Sequence, residues 1–76
     1  MREIQKFILD WVMKTSGKRL SPSDDIFLVG GLDSLNFAEL IAAIELEFTI
    51  SIDFRDLYDW NSVKSARGLS AFAIQS

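Results

Sequence analysis

The chain contains no cysteine and no histidine, only one proline, and no long biased tract. Without thiols there is no disulfide framework. Without thiols or imidazoles there is no zinc site of the usual nitrogen and sulfur ligands, and no cysteine or histidine catalyst. A long apolar run is missing as well: residues 1–14 mix charged and apolar side chains, so neither a signal peptide nor a membrane span is expected, and a cytoplasmic location is predicted. The 76 residues make room for one domain, 1–76, held together by burial alone. A core of this size supplies about 3–5 kcal/mol of net stability, which leaves little from which to carve a deep substrate cleft. A self-sufficient enzyme is therefore not expected. There is no Gly-rich phosphate loop of the Walker or dinucleotide type, and no paired-carboxylate motif. Asp24 and Asp25, or Glu39, Glu45 and Glu47, offer at most loose binding of Ca²⁺ or Mg²⁺, because they lack the spacing of an EF-hand loop.

What is present is a strong segregation of charge. The formal net charge of −3 conceals a balance of +3 in residues 1–20, −8 in residues 21–60 and +2 in the remainder. The nine acids of the middle segment face a single base, Arg55. Such a centre repels phosphate backbones and steers basic protein surfaces toward it. A small DNA-binding domain is accordingly a poor reading, although a merely solvated acidic surface would give the same count.

Ile4, Phe7, Ile8, Trp11 and Val12 recur with helical spacing, predicting a first amphipathic helix over about residues 2–15, stopped by Gly17. Periodicity then lapses from Ser16 to Asp33, a long connection rich in turn formers. Leu20, Ile26, Phe27, Leu28 and Val29 are expected to pin it to the core, with a short helical turn near residues 24–28. Asp33 and Ser34 are both good N-caps for a second helix running to Phe48. At about 100° per residue, Phe37, Leu40, Ile41, Ile44 and Phe48 share one side of that helix, while Leu35, Ala38, Ala42 and Leu46 share the opposite side, flanked by Glu39 and Glu45. So small a bundle cannot cover both stripes, so the second is expected at the surface. It suits a partner with a basic rim and an apolar centre, or it simply consists of good helix formers. Residues 49–52 read as an extended connector. Asp53 reads as the cap of a short third helix ending near Asp59. Asn61 or Ser62 is expected to cap a last helix built on Val63, Ala66, Leu69 or Ser70, and Ala73, in which Gly68 is an expected weakness. The expectation is an all-α, small four-helix bundle with a long first loop and a short third helix.

The distinctive local feature is Gly30-Gly31-Leu32-Asp33-Ser34-Leu35, which places a hydroxyl where a helix begins after a flexible turn. A phosphate esterified to Ser34 would meet unpaired amides and the positive pole of the helix. As a nucleophile Ser34 has no imidazole to activate it, so activation must come from another protein. A plain capping role for Ser34 remains the alternative at this point.

Gly31-Leu32-Asp33-Ser34-Leu35, followed by Glu39-Leu40, Ile44-Glu45-Leu46-Glu47-Phe48 and Ile50-Ser51-Ile52, resembles the acyl carrier protein family, and the likeness extends over nearly the whole chain. The resemblance implies that Ser34 carries 4′-phosphopantetheine, transferred from coenzyme A by a phosphopantetheinyl transferase, with Asp33 and Leu35 beside it. The thiol of that arm would hold acyl groups as thioesters, and partner enzymes would supply the chemistry. Asp33, Leu35, Ala38, Glu39, Ala42 and Glu45 match the positions through which such carriers meet the transferase and the loading, elongating and acyltransferase enzymes, and Leu46 is expected on the same partner-binding face. The implied protein is a free-standing monomer serving fatty-acid, polyketide or related biosynthesis. An aminoacyl or peptidyl carrier is the variant within the fold, and Asp33 before the serine favours an acyl cargo. Outside the family, the alternative is an unmodified helical adaptor. Leu46 stands where fatty-acid carriers often have an acid, and Phe37 is bulkier than usual. A short, branched or otherwise specialised cargo is therefore expected.

Overall fold

The computed structural model describes residues 2–56 and 59–75. Three α-helices organise them: α1 (Arg2–Ser16), α2 (Ser34–Phe48) and α3 (Ala66–Gln75), with single 3-10 turns at Phe54–Asp56 and Trp60–Val63. Helix α1 packs against both α2 and α3, and α3 packs against the Trp60–Val63 turn. The core between them joins Ile4, Ile8 and Val12 of α1 to Phe37, Leu40, Ile41 and Ile44 of α2 and to Ala66, Leu69 and Ala73 of α3, with Val63 just ahead of α3. Phe7 and Trp11 lie half-buried at its margin, and Phe7 meets Phe48 edge to face at 5.5 Å.

Among the described residues three α-helices are counted rather than the four expected. The segment expected to form a short third helix contains a single 3-10 turn, Phe54–Asp56, and Leu57 and Tyr58 lie outside the described residues. The Asp53 carboxylate accepts from the amide of Arg55 at 2.9 Å and also binds its guanidinium, a tight local closure. The start of the last helix is also corrected. Asp59, not Asn61 or Ser62, caps a separate 3-10 turn, its side chain accepting from the Asn61 amide. Helix α3 begins only after Ser65, whose Oγ accepts from the Gly68 amide at 3.1 Å. Gly68 is not a weakness but a requirement: a Cβ there would overlap the Ser62 carbonyl oxygen, so glycine is what lets α3 lie against the preceding turn.

The long connection is stitched to the start of α3. Ile26 donates its amide to the Lys64 carbonyl at 2.6 Å, Arg67 donates to the Pro22 carbonyl at 3.0 Å, and Asp25 pairs with Ser65 in an isolated antiparallel bridge. Leu20 and Ile26 are buried and Phe27 is half-buried against the core, as expected. Leu28 and Val29 are not: they are 86% and 50% exposed. The reason is the Asp25 carboxylate, which accepts from the amides of Phe27 and Leu28, while the Asp25 carbonyl accepts from Val29 and Gly30. This curls residues 25–30 into one turn, with Ile26 inward and Leu28 and Val29 outward.

Beyond α2 the chain turns through Thr49, a non-glycine residue in the left-handed region at φ 54°. The amides of Thr49 and Ile50 both close on the Glu45 carbonyl, the geometry of a left-handed helix ending. Residues 50–53 follow without strand structure, with Ile52 buried.

Candidate functional site

Two glycines bring the backbone to the start of α2 for different reasons. A Cβ at Gly30 would press on the Ile26 carbonyl, and Gly31 takes φ +73° with open space around it. Leu32 is buried and donates its amide to the Ile26 carbonyl at 3.2 Å, which anchors the chain one residue before the site. Asp33 and Ser34 then emerge into solvent.

Asp33 holds the N-cap with extended backbone, its Oδ1 accepting from the Asn36 amide at 2.7 Å and its carbonyl from the Phe37 amide at 2.9 Å. Ser34 is the first helical residue, exposed, and its hydroxyl makes no hydrogen bond among the described residues. The capping alternative for Ser34 is thereby answered: Asp33 performs that task and leaves the serine oxygen free. The amides of Ser34 and Leu35 likewise have no partner among the described residues, so two donors and the positive pole of α2 lie beside that oxygen.

The outer face of α2 carries the second apolar stripe. Leu35 is 69% and Leu46 86% exposed, and Ala38, Glu39 and Ala42 are exposed between them. Glu45 is different from its neighbours. It is half-buried, and its Oε2 accepts from the Ile52 amide at 2.7 Å, which ties the connector to α2. Its carboxylate therefore already has a structural partner.

Asp24 and Asp25 are tied to the backbone. Asp24 accepts from the Ser21 amide at 2.9 Å, and Asp25 from Phe27 and Leu28. Among the described residues no three metal-ligating side chains cluster. Arg55 is held by Asp53 at 2.7 Å, and the Arg55 hydrogen bonds lower the Asp53 pKa from 3.8 to about 2.

One group of residues escaped the sequence reading. Phe37, one turn beyond Ser34, is surrounded by Phe27 at 5.2 Å, Phe54 at 6.0 Å and Trp60 at 6.1 Å between ring centroids. Phe54 in turn stacks on Trp60 at 5.8 Å and on Phe72 at 5.5 Å. Three of the five rings, Phe27, Phe54 and Trp60, belong to the long connection or to 3-10 turns, where helical period gives no signal. The available hint was six phenylalanines in so short a chain.

The site thus presents a hydroxyl at a helix start, beside unpaired amides and an acidic, partly apolar helix face. Residues 8–67 match the family model described as phosphopantetheine attachment site. The chain belongs to that family of phosphopantetheine-binding carrier domains, whose prosthetic group is covalently attached 4′-phosphopantetheine. Neither the curated proteins nor the solved structures searched contain a match. The described residues fit the group: an unengaged serine oxygen, two unpaired amides and open space at Gly31 suit a phosphodiester. Among the described residues, no helix is long and apolar enough to cross a membrane.

Proposed function

We propose that this chain is an acyl carrier protein, holding acyl intermediates as thioesters on a 4′-phosphopantetheine arm attached to Ser34 and presenting them to enzymes of fatty-acid, polyketide or related biosynthesis. The observation that carries the reading is the unengaged, exposed Ser34 hydroxyl at the first position of α2, with Asp33 already serving as the cap. Attachment forms a bond from Ser34 Oγ to the pantetheine-side phosphorus of coenzyme A. The phosphoanhydride bond breaks, adenosine 3′,5′-bisphosphate leaves, and the hydroxyl proton passes to a base on the transferase, since this chain has no histidine. The arm supplies a thiol that the polypeptide itself lacks. Asp33 and Leu35 flank the attachment point, and Leu35, Ala38, Glu39, Ala42 and Leu46 form the face that meets partners. Glu45 contributes its charge at the edge of that face while its carboxylate holds the Ile52 amide. Basic rims on the transferase and on the loading, elongating and acyltransferase enzymes would be steered by these acids, more in encounter rate than in final affinity. The carrier acts as a monomer in the cytoplasm.

The test is incubation with coenzyme A and a broad-specificity phosphopantetheinyl transferase, followed by intact mass measurement. One phosphopantetheine is expected on the native chain and none on Ser34→Ala. Failure of several transferases to modify the folded protein would instead favour an unmodified adaptor that uses the Leu35–Leu46 strip. Loading by an adenylating enzyme with an amino acid, in preference to acyl groups, would favour the aminoacyl or peptidyl variant.

A further inference from the structure

The five-ring cluster lies directly beneath the attachment point. Ser34 and Phe37 are three residues apart on α2, which puts their side chains on neighbouring positions of one helix face. Phe37 is 7% exposed and turned inward, and Phe27, Phe54 and Trp60 crowd it from the long connection and from both 3-10 turns. Phe72 extends the stack to α3. An alkyl chain entering between α2 and α3 from Ser34 would have to pass these rings. Among the described residues no cavity opens there to receive it. Interlocking aromatic contacts of this kind resist opening, since displacing Phe37 or Phe54 gives up contacts with three other rings. The outermost ring, Trp60, is 56% exposed while its other side stacks on Phe54 at an interplanar angle of 8°.

We infer that the Phe27, Phe37, Phe54 and Phe72 rings act as a plug that keeps cargo out of the bundle, and that the exposed Trp60 indole receives it on the outside, so the carrier suits compact or flat acyl groups rather than long saturated chains. The inference rests on Ser34 as the attachment point, and it deepens the reading above by assigning a cargo class. Phe37 is the specificity-determining residue, because it touches three of the other four rings. Trp60 is the contact residue, because a flat group can stack on its open face at little cost in conformational freedom.

The absence of native cysteine makes the test independent of any transferase. Ser34→Cys provides a unique thiol to which pantetheine-length arms ending in methyl, octyl or phenyl groups are attached as mixed disulfides. A Trp11→Phe background leaves Trp60 as the sole indole. Methyl resonances of Leu40, Ile44 and Leu69 report the interior, and the indole resonance and fluorescence report Trp60. The expected result is that core methyls are the same for methyl and octyl arms, while the phenyl arm shifts the Trp60 indole signal and changes its fluorescence. In Phe37→Leu, which keeps an apolar side chain at that place, the octyl arm is expected to shift the core methyls. Octyl-dependent shifts of the core methyls with Phe37 intact would overturn the plug, and a phenyl arm that leaves Trp60 unchanged would overturn the contact. Failure of enzymatic loading at native Ser34, by contrast, bears on the carrier assignment and leaves the outcome of the tethered measurements to stand by itself.

Discussion

Helices α2 and α3 both begin beside a serine, and the two serines have opposite fates. Ser65 is used as the cap of α3, its Oγ taken by the Gly68 amide, and the surrounding backbone is bonded into the long connection through Lys64 and Arg67. At α2 the cap is Asp33, one residue earlier, so Ser34 falls inside the helix with its oxygen exposed and uncommitted. A serine at a helix start is ordinarily a structural residue. What leaves the Ser34 oxygen available is the neighbour that relieves it of that duty. Placement of an acid before the serine thus serves stability and accessibility together.

The comparison breaks most violently at Gly68. On propensity alone, Gly68→Ala in α3 would gain about 1 kcal/mol. The structure reverses the sign: the new Cβ would collide with the Ser62 carbonyl, backbone against backbone. A loss of about 3 kcal/mol is expected from such overpacking, a large part of the stability of so small a domain. Urea denaturation decides between the two, and a stabilised variant would show that α3 does not sit against the Trp60–Val63 turn as described.

The caps come next. Asp33→Ala and Ser65→Ala should each cost about 1 kcal/mol, the usual loss of a side-chain cap. Ser34→Ala should change stability by less than about 0.5 kcal/mol, as expected for an exposed side chain without partners. Equal losses at Ser34 and Ser65 in chemical denaturation would erase the distinction between them. The same three variants separate folding from modification, since only Ser34→Ala is expected to abolish phosphopantetheine attachment while leaving the unfolding midpoint in place.

The parts of the fold that could be read from sequence are those governed by a repeat. The stripes of α1 and α2, and Ala66, Leu69 and Ala73 of α3, follow from helical spacing: the core contains them except Phe7, Trp11 and Phe48, which pack half-buried against it. The exposed stripe of Leu35, Ala38, Ala42 and Leu46 follows from the same geometry. Where a side chain bonds to its own backbone, the repeat gives no guidance. Asp25 turns Leu28 and Val29 outward, Asp59 starts a separate 3-10 turn ahead of Ser65, and Glu45 takes the Ile52 amide instead of remaining wholly solvated. Each choice depends on a side-chain hydrogen bond to a backbone amide, two or three residues on at Asp25 and Asp59 and seven on at Glu45, which spacing of apolar residues does not encode. The five-ring cluster is hidden because its rings are spread from Phe27 to Phe72 along the chain and meet only in three dimensions.

The far end of α2 offers a milder test of how the helix that presents Ser34 is held. Thr49 adopts a left-handed conformation that β-branched residues rarely enter and that glycine enters freely. Thr49→Gly is expected to stabilise the protein by about 0.5–1 kcal/mol, the strain relieved exceeding the added freedom of the unfolded chain. The gain should appear as a higher urea midpoint with unchanged cooperativity. A destabilised variant would mean that the threonine side chain has a role the described contacts do not contain.

The smallest effect concerns a third turn start, where Asp53 accepts the Arg55 amide, as Asp33 accepts Asn36, but also binds a guanidinium at 2.7 Å. The side-chain hydrogen bond from Arg55, with its backbone hydrogen bond, lowers the Asp53 pKa from 3.8 to about 2. A lowered folded pKa means that the associated stabilisation is fully present above pH 3.8 and is lost as pH falls through about 2. Solvent screens an exposed pair of this kind, so the effect on global stability should be slight. The local signature is clearer: the Asp53 carboxyl resonance should titrate near pH 2 in the native chain and in the ordinary carboxylate range in Arg55→Gln. An ordinary midpoint with Arg55 intact would show that the pair does not persist in solution. The summed charge of residues 21–60 is the same with the pair open or closed, so the field that this segment presents to basic partners would stay as it is.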